Sequence, residues 1–327
     1  MLGHDPTAST SENYRRFAAL EAHGTSAVYE AICDGVSADP DLLAFLGDLP
    51  PRCRQPNLLL GVVKYGFGEQ PTYGAFRETV LSHRDRIAEL LATRRTQTNE
   101  PARCAAMLPI LASLPGPLAL LEVGASAGLC LLPDRYGYRY GDHVVGEGPP
   151  LLDCRLVGDV TPPLPTALPE VAWRKGIDLE PLDVRDPDHV RWLESLVWPG
   201  QTTRERHLHE SLALAREDPP EVVAGDLTEL LEDVAAEAPR DATLVVFHTA
   251  VLSYLTVDQR IDIGRRIAAL GATWIASEAP GILGVAARPG ALMERGHFVL
   301  VVDGTHEVAS MGPHGDWLKW EKQCTAR

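Results

Sequence analysis

The sequence predicts an α/β protein: a doubly wound, mainly parallel sheet with an antiparallel last strand, preceded by an all-helical N-terminal cap. Three observations carry that expectation. Residues 11–92 hold helix-period patterns and no convincing strand. From about residue 101, short apolar runs alternate with helical segments, as a parallel sheet layered with helices requires. Residues 118–132, Leu-Ala-Leu-Leu-Glu-Val-Gly-Ala-Ser-Ala-Gly-Leu-Cys-Leu-Leu, read as a strand, a turn of small residues and a return to apolar residues. The expected domains are a cap over 1–100 and an α/β domain over 101–327, with an insertion at about 136–170.

In the cap, Asp39 before Pro40 has the form of an N-cap with proline at the first helical position, opening a helix over 40–47. Phe76, Val80, Ile87 and Leu91 share one face of a helix over about 73–93. Helix 101–114 opens at Pro101 and ends in Pro115-Gly116-Pro117, so strand 118–122 follows at once and runs antiparallel to it. Leu118 to Leu121 are too few for a helix and suit a strand buried on both faces. Apolar residues from Leu129 predict a helix packing back on the sheet. Tyr136, Tyr138 and Tyr140 alternate as in a half-exposed strand, with Leu151 to Val157 its expected partner.

Val171 to Asp178 reads as the second buried strand. Asp186-Pro187 opens a helix to about Val197, and another covers about 203–217. Strand three is Val222 to Ala224, ending in Gly225-Asp226, and strand four is Thr243 to Phe247, ending at His248. Thr256 and Gln259 have capping-box spacing, and Gly271 closes the helix they open. Thr273 to Ala276 is strand five, ending near Glu278. Phe298 to Val302 and His306 to Ser310 form an antiparallel pair around Gly304.

The 327 residues are 45% hydrophobic and 23% charged, ordinary for a globular chain. Forty-five acids against 30 bases give a net charge of −15, which repels phosphate backbones and argues against a nucleic-acid partner. The six cysteines form no C-x-x-C pair and are expected to pack as small hydrophobes. The first residues lack a charged and then apolar leader, and no apolar run reaches the roughly 18 residues that span a bilayer. A cytoplasmic protein with a small-molecule substrate and no membrane partner is expected.

In open α/β sheets, ligands lie beyond the carboxyl ends of the strands. Glu122, Asp178, Asp226, His248 and Glu278 stand there, one per strand. The turn Gly124-Ala125-Ser126-Ala127-Gly128 lets backbone approach a ligand, with the following helix presenting its first N–H groups. An acid at the strand end suits a cationic amine or ribose hydroxyls and repels a pyrophosphate, whereas a dinucleotide fingerprint carries its acid about 20 residues later. This order favours S-adenosylmethionine over NAD as cofactor. Asp178 is expected to hold the ribose, with Asp142 as rival, and Asp226 to accept from an adenine amine.

His248 is the general-base candidate, with Glu278 beside it among the catalytic candidates. The polar run 95–100 lies at the sheet's ligand end, so Arg95, Gln97 and Asn99, with Tyr254, are assigned to the acceptor substrate. No metal site is expected, since His207 and His209 point apart on a helix. Two alternatives stand. Gly-Ala-Ser-Ala-Gly matches the nucleophile-elbow pattern, so Ser126 is the nucleophile of a serine hydrolase completed by Glu278 and His297 or His314. The other is a non-catalytic nucleoside-binding protein.

Glu-Val-Gly-x-x-x-Gly at 122–128, Gly-Ile-Asp at 176–178, Gly-Asp at 225–226 and the apolar fourth strand resemble, in that order, the class I S-adenosylmethionine-dependent methyltransferases. The likeness covers roughly 101–311, and the final strand pair resembles that family's reversed seventh strand. It implies a Rossmann-like sheet, S-adenosyl-L-methionine as cofactor, and cofactor-binding roles for Glu122, Gly124, Gly128, Asp178 and Asp226, with Ser126 where the family has its middle glycine. No Asn/Asp-Pro-Pro-Tyr follows strand four, which leaves O-, C- and other N-methylation. Over nearly its whole length the chain also resembles the bacterial domain of unknown function 2332. That likeness runs through Arg94-Arg95-Thr96-Gln97-Thr98-Asn99-Glu100, 120–131, Trp173 to Val184, Trp192 to Pro199 and Val245 to Leu252. That name implies no reaction.

Overall fold

A computed structural model describes residues 9–97, 99–284 and 296–321. The chain forms two units, Met1–Thr98 with Asp186–Glu205, and Asn99–Arg185 with Arg206–Arg327. The first is helical among its described residues: α1 (Thr10–Phe17), α2 (Ala27–Ala38), α3 (Pro40–Gly47), α4 (Pro56–Phe67), α5 (Tyr73–Ser82) and α6 (Arg84–Thr93). Asp39 caps α3 as its sequence indicates, accepting from Asp41 N at 2.8 Å and Leu42 N at 3.1 Å. The helix expected over 73–93 is two helices. His83 breaks it at φ −127°, ψ 33°, and its ring stacks on Phe67 at 4.7 Å.

α7 (Arg103–Leu111) opens the second unit, and α8 (Pro187–Ser195) belongs to the first. In that first unit the Arg94 guanidinium lies over the rings of Tyr65 (4.6 Å) and Trp192 (5.5 Å) and pairs with Asp188, which also accepts from the Tyr65 hydroxyl.

The second unit is built on a sheet. Its strands are β1 (Leu118–Val123), β2 (Gly137–Tyr140), β3 (His143–Val145), β4 (Leu151–Asp153), β5 (Arg155–Leu156), β6 (Val171–Asp178), β7 (Val222–Ala224), β8 (Thr243–Thr249), β9 (Thr273–Glu278), β10 (Phe298–Val302), β11 (His306–Met311) and β12 (Trp317–Trp320). The main sheet has the order β5-β12-β11-β10-β9-β8-β1-β6-β7. β7, β6, β1, β8 and β9 are parallel neighbours. Counted along the chain, their order is 3-2-1-4-5, and it reverses between β1 and β8. β10 and β11 are the expected antiparallel pair, and β12, which the sequence reading missed, adds to β11.

Helices α9 (Thr202–Glu217), α10 (Leu227–Ala235) and α11 (Val257–Ala269) follow β6, β7 and β8. Leu231 and Val234 of α10 with Ile263 and Ile267 of α11 form one core with Leu121, Val123, Val246, Trp274 and Ala276 of the strands. These strand residues alternate, so they mark one face of the sheet.

The stretch after β1 departs from expectation. Leu129–Leu131 is a single 3₁₀ turn, not a helix. Pro133 follows closely, and Gly137 pairs at once with Leu151 in a small β3-β2-β4 sheet. Tyr136, Tyr138 and Tyr140 are buried rather than half exposed. Their hydroxyls donate to the carbonyls of Leu129, Pro133 and Ala105 at 2.7, 2.7 and 2.5 Å. Among the described residues no helix is long and apolar enough to cross a membrane.

Candidate functional site at the carboxyl ends of the strands

Asn99, just before α7, organises the small-residue turn after β1. Its amide donates to Ala125 O at 2.7 Å and its Oδ1 accepts from Leu129 N at 2.9 Å. α7 therefore starts at the carboxyl end of β1, as the short Pro-Gly-Pro connection required. Asp178, at the end of β6, completes the bracket: its carboxylate accepts from Ser126 N at 2.8 Å and Glu180 N at 2.9 Å. Asp142 lies instead in the exposed turn between β2 and β3.

The turn is tight. Gly124 and Gly128 have φ of +74° and +71°, and Ser126 has φ of +53°. A Cβ on Gly124 would stand 2.3 Å from Val251, and one on Gly128 would stand 2.8 Å from Pro220. The two glycines are thus needed for close packing of side chains on the turn. Val251 and Pro220 pack against the turn, and in place of the helix expected to follow it stands the single 3₁₀ turn Leu129–Leu131.

Two carboxylates and a hydroxyl at this end have buried oxygens without a hydrogen-bond partner: Glu122 Oε2, Ser126 Oγ and Glu278 Oε2. Burial pushes the Glu122 carboxyl well above the ordinary carboxylate range, with Cys130 and the charge of Asp178 nearby acting in the same direction and Arg103 against them. Arg103, in the first turn of α7, is itself buried and donates to Pro313 O at 2.8 Å and Thr249 Oγ1 at 3.1 Å.

Glu278 faces the opposite side of the sheet. Register sets Glu122 beside Phe247, while His248 aligns with Ala276 on the α10/α11 face. There Glu278 Oε1 accepts three donors: His248 Nδ1 at 2.7 Å and the backbone N–H groups of Val251 and Leu252, both at 2.9 Å. His248 is fully buried, and its Nε2 accepts from Trp274 Nε1 at 3.0 Å. Both imidazole nitrogens are therefore engaged inside the protein, and Nε2 has no lone pair for a ligand while the indole bond stands. Sequence reasoning did not single out Trp274, since a tryptophan opening an apolar strand reads as core.

The remaining candidates separate. Asp226 caps α10, accepting from Thr228 N at 2.8 Å and Thr228 Oγ1 at 2.7 Å. Tyr254 is exposed in a 3₁₀ turn after β8. Arg95 and Gln97 belong to the first unit, where Arg95 O accepts from Trp192 Nε1 at 3.1 Å. His297 is buried just before β10, and His314 Nδ1 stands 3.6 Å from Glu100 Oε2. Neither bonds Ser126, whose Oγ has no partner. His207 is buried on α9, and among the described residues no three His, Cys, Asp or Glu side chains gather to hold a metal.

Fold and site together define a mixed α/β protein with a helical region and polar groups gathered at the carboxyl ends of a largely parallel sheet, an enzyme-like architecture suited to small molecules. Residues 11–320 match the family described as an uncharacterized protein conserved in bacteria, DUF2332, and the chain belongs to that family. No curated protein matches it.

Proposed function

We propose that the protein is an S-adenosylmethionine-dependent methyltransferase-like enzyme acting on a small-molecule acceptor. One observation carries the reading: Glu122, buried at the end of the central strand and directly before the small-residue turn, keeps one carboxylate oxygen without a partner. It lies beside the point where strand order reverses, where open α/β sheets bind ligands. Burial favours the neutral Glu122 carboxyl in the free protein; a cationic amine there would favour the ionised form and satisfy an oxygen whose unmet hydrogen bond costs about 1–3 kcal/mol. Ser126 Oγ offers a second polar contact. The fit is to the amine end. At the nucleoside end Asp178 already braces the turn, so a ribose would share a carboxylate that accepts from two backbone N–H groups.

When bound, the cofactor supplies a methyl group on a sulfonium, already activated for transfer. The chain's task is then to bind, align and, for a protonated acceptor, remove a proton. Glu278 Oε2 fits the last task better than His248, because His248 is held between Glu278 and Trp274. His248 then serves as a positioning residue. Calorimetry with S-adenosylhomocysteine and NAD side by side tests the reading. The homocysteine compound should bind, NAD should not, and Glu122→Gln should lose at least tenfold in affinity. Binding of NAD alone would overturn it.

A second reading has one observation in its favour. Ser126, in Gly-Ala-Ser-Ala-Gly, has the left-handed φ of a nucleophile on a sharp post-strand turn. An activated serine also needs a base within hydrogen-bond reach, and Ser126 Oγ has no partner. Covalent labelling of Ser126 by a fluorophosphonate, absent in Ser126→Ala, would favour this hydrolase over the methyltransferase.

A further inference from the structure

We propose that Trp274 is a positioning residue: its indole N–H fixes the tautomer of His248 and, through it, the orientation of the Glu278 carboxylate. The inference rests on the reading above only in giving Glu278 a part in the reaction; the chain of bonds stands without it. An indole nitrogen is a donor only. At 3.0 Å from Trp274 Nε1, His248 Nε2 must accept, so the neutral ring carries its proton on Nδ1. That proton meets Glu278 Oε1 at 2.7 Å. With Val251 N and Leu252 N also at 2.9 Å, Oε1 has three donors and Oε2 is left as the only unpartnered oxygen of that carboxylate. If the indole were removed, Nε2 would lose its donor, and the imidazole could turn or flip its tautomer and weaken the Nδ1 bond. The carboxylate would then be held by Val251 N and Leu252 N alone and would be less restrained.

The surroundings of the indole are built to hold it. Trp274 N donates to Asp303 Oδ1 at 3.0 Å and Asp303 N donates to Trp274 O at 2.8 Å. The ring fills a slot between two glycines that are remote in sequence. A Cβ on Gly264 of α11 would stand 3.0 Å from the ring, and one on Gly304, in the turn between β10 and β11, would stand 2.8 Å from it. A glycine inside a helix costs about 1 kcal/mol against alanine, so propensity does not explain Gly264, whereas contact with the indole does. The same network reaches the other turn, since Val251, whose N–H bonds Glu278, packs its side chain on Gly124.

The test is NMR of ¹⁵N-histidine-labelled protein at neutral pH, with the amide protons of Val251 and Leu252 as reporters of the carboxylate. In the wild type, His248 should show a protonated Nδ1 and a bare Nε2. In Trp274→Phe the indole bond is lost; the His248 nitrogens should shift toward a tautomer mixture, and both amides should move and exchange faster. Gly264→Ala, which displaces the ring without removing it, should move the same signals less and serves if the phenylalanine variant does not fold. A protonated Nε2 in the wild type would overturn the proposal. So would unmoved Val251 and Leu252 amides in a folded variant whose His248 signals have changed. Calorimetry with S-adenosylhomocysteine on the same samples separates the two claims: failure to bind wild-type protein removes the methyltransferase reading and leaves these signals as they are.

Discussion

Burial of Glu122 beside Cys130 and Asp178 has a consequence for stability that the sign of linkage fixes. A carboxyl raised in the folded state keeps its proton over a pH range in which the unfolded chain has lost it. Its contribution is therefore fully present below the unfolded value and is lost as pH rises through the folded one. Glu122→Gln removes this dependence. Its stability relative to wild type should climb from about pH 5 upward, by at most about 1.4 kcal/mol per pH unit, in denaturant titrations at successive pH values. Parallel curves for the two proteins would show that Glu122 is not the buried titrating group. The glycines of the turn are poor probes of ligand binding by comparison. Gly128→Val would clash with Pro220 at a positive φ and should destabilise the fold by roughly 1–3 kcal/mol before any ligand is considered. At these positions the sequence shows residue type and strand-end placement. It does not show that Asp178 and Asn99 spend their hydrogen bonds on the turn, because those partners lie 52 and 26 residues away.

Elements whose signals are local formed as read. Asp39 caps α3, and Thr256 with Gln259 makes the reciprocal capping box of α11. Asp39 does more than cap. Burial by itself would raise its carboxyl, but bonds from Tyr73, Leu42 N–H and Arg77 outweigh it and bring the group down to about 2. Asp39→Ala removes the cap and leaves Tyr73 and Arg77 without this partner, and should cost about 2–4 kcal/mol in the helical unit. Because the folded value is depressed, Asp39's contribution is held above the unfolded carboxylate value and lost as pH falls toward 2, so the gap between variant and wild type should narrow in acid. In the same unit, Arg94→Ala removes the pair with Asp188 and the stack on Tyr65 and Trp192, and should cost about 1–3 kcal/mol. Arg86→Ala, whose pair with Glu89 is exposed, should change stability by less than about 0.5 kcal/mol. Elements misread were those where a tertiary contact outweighed periodicity. His83 breaks a helix to stack on Phe67, and Pro133 with the buried tyrosines replaces a helix by a turn and a small sheet. β12 has no alternation to mark it: Trp317, Leu318 and Trp320 are all buried in a four-residue strand, and it is pairing with β11 that defines it.

Ligand binding is felt by the molecule as a whole through mass action. S-adenosylhomocysteine at 100 times its dissociation constant should raise stability by about 2.7 kcal/mol, and NAD should leave the thermal midpoint unchanged. The chain's path through its two units sets a limit on reading function along the sequence. The polar run at 94–100 starts in the helical unit, where Arg94 is bound, and ends in the sheet unit, where Asn99 holds the turn. α8 returns to the first unit from the middle of the second. The alternation of helix and strand, the caps and the order of strand-end acids follow from short-range rules of period, capping and turn chemistry, so one sequence suffices to see them. Which face of the sheet each acid takes, and which partners it meets there, depends on register between strands whose paired residues lie from 28 (Val245 and Thr273) to 125 (Leu118 and Thr243) positions apart. Register sent Glu122 to one face and His248 with Glu278 to the other, and it brought the indole of Trp274 onto a histidine that, read along the chain, stands free at a strand end.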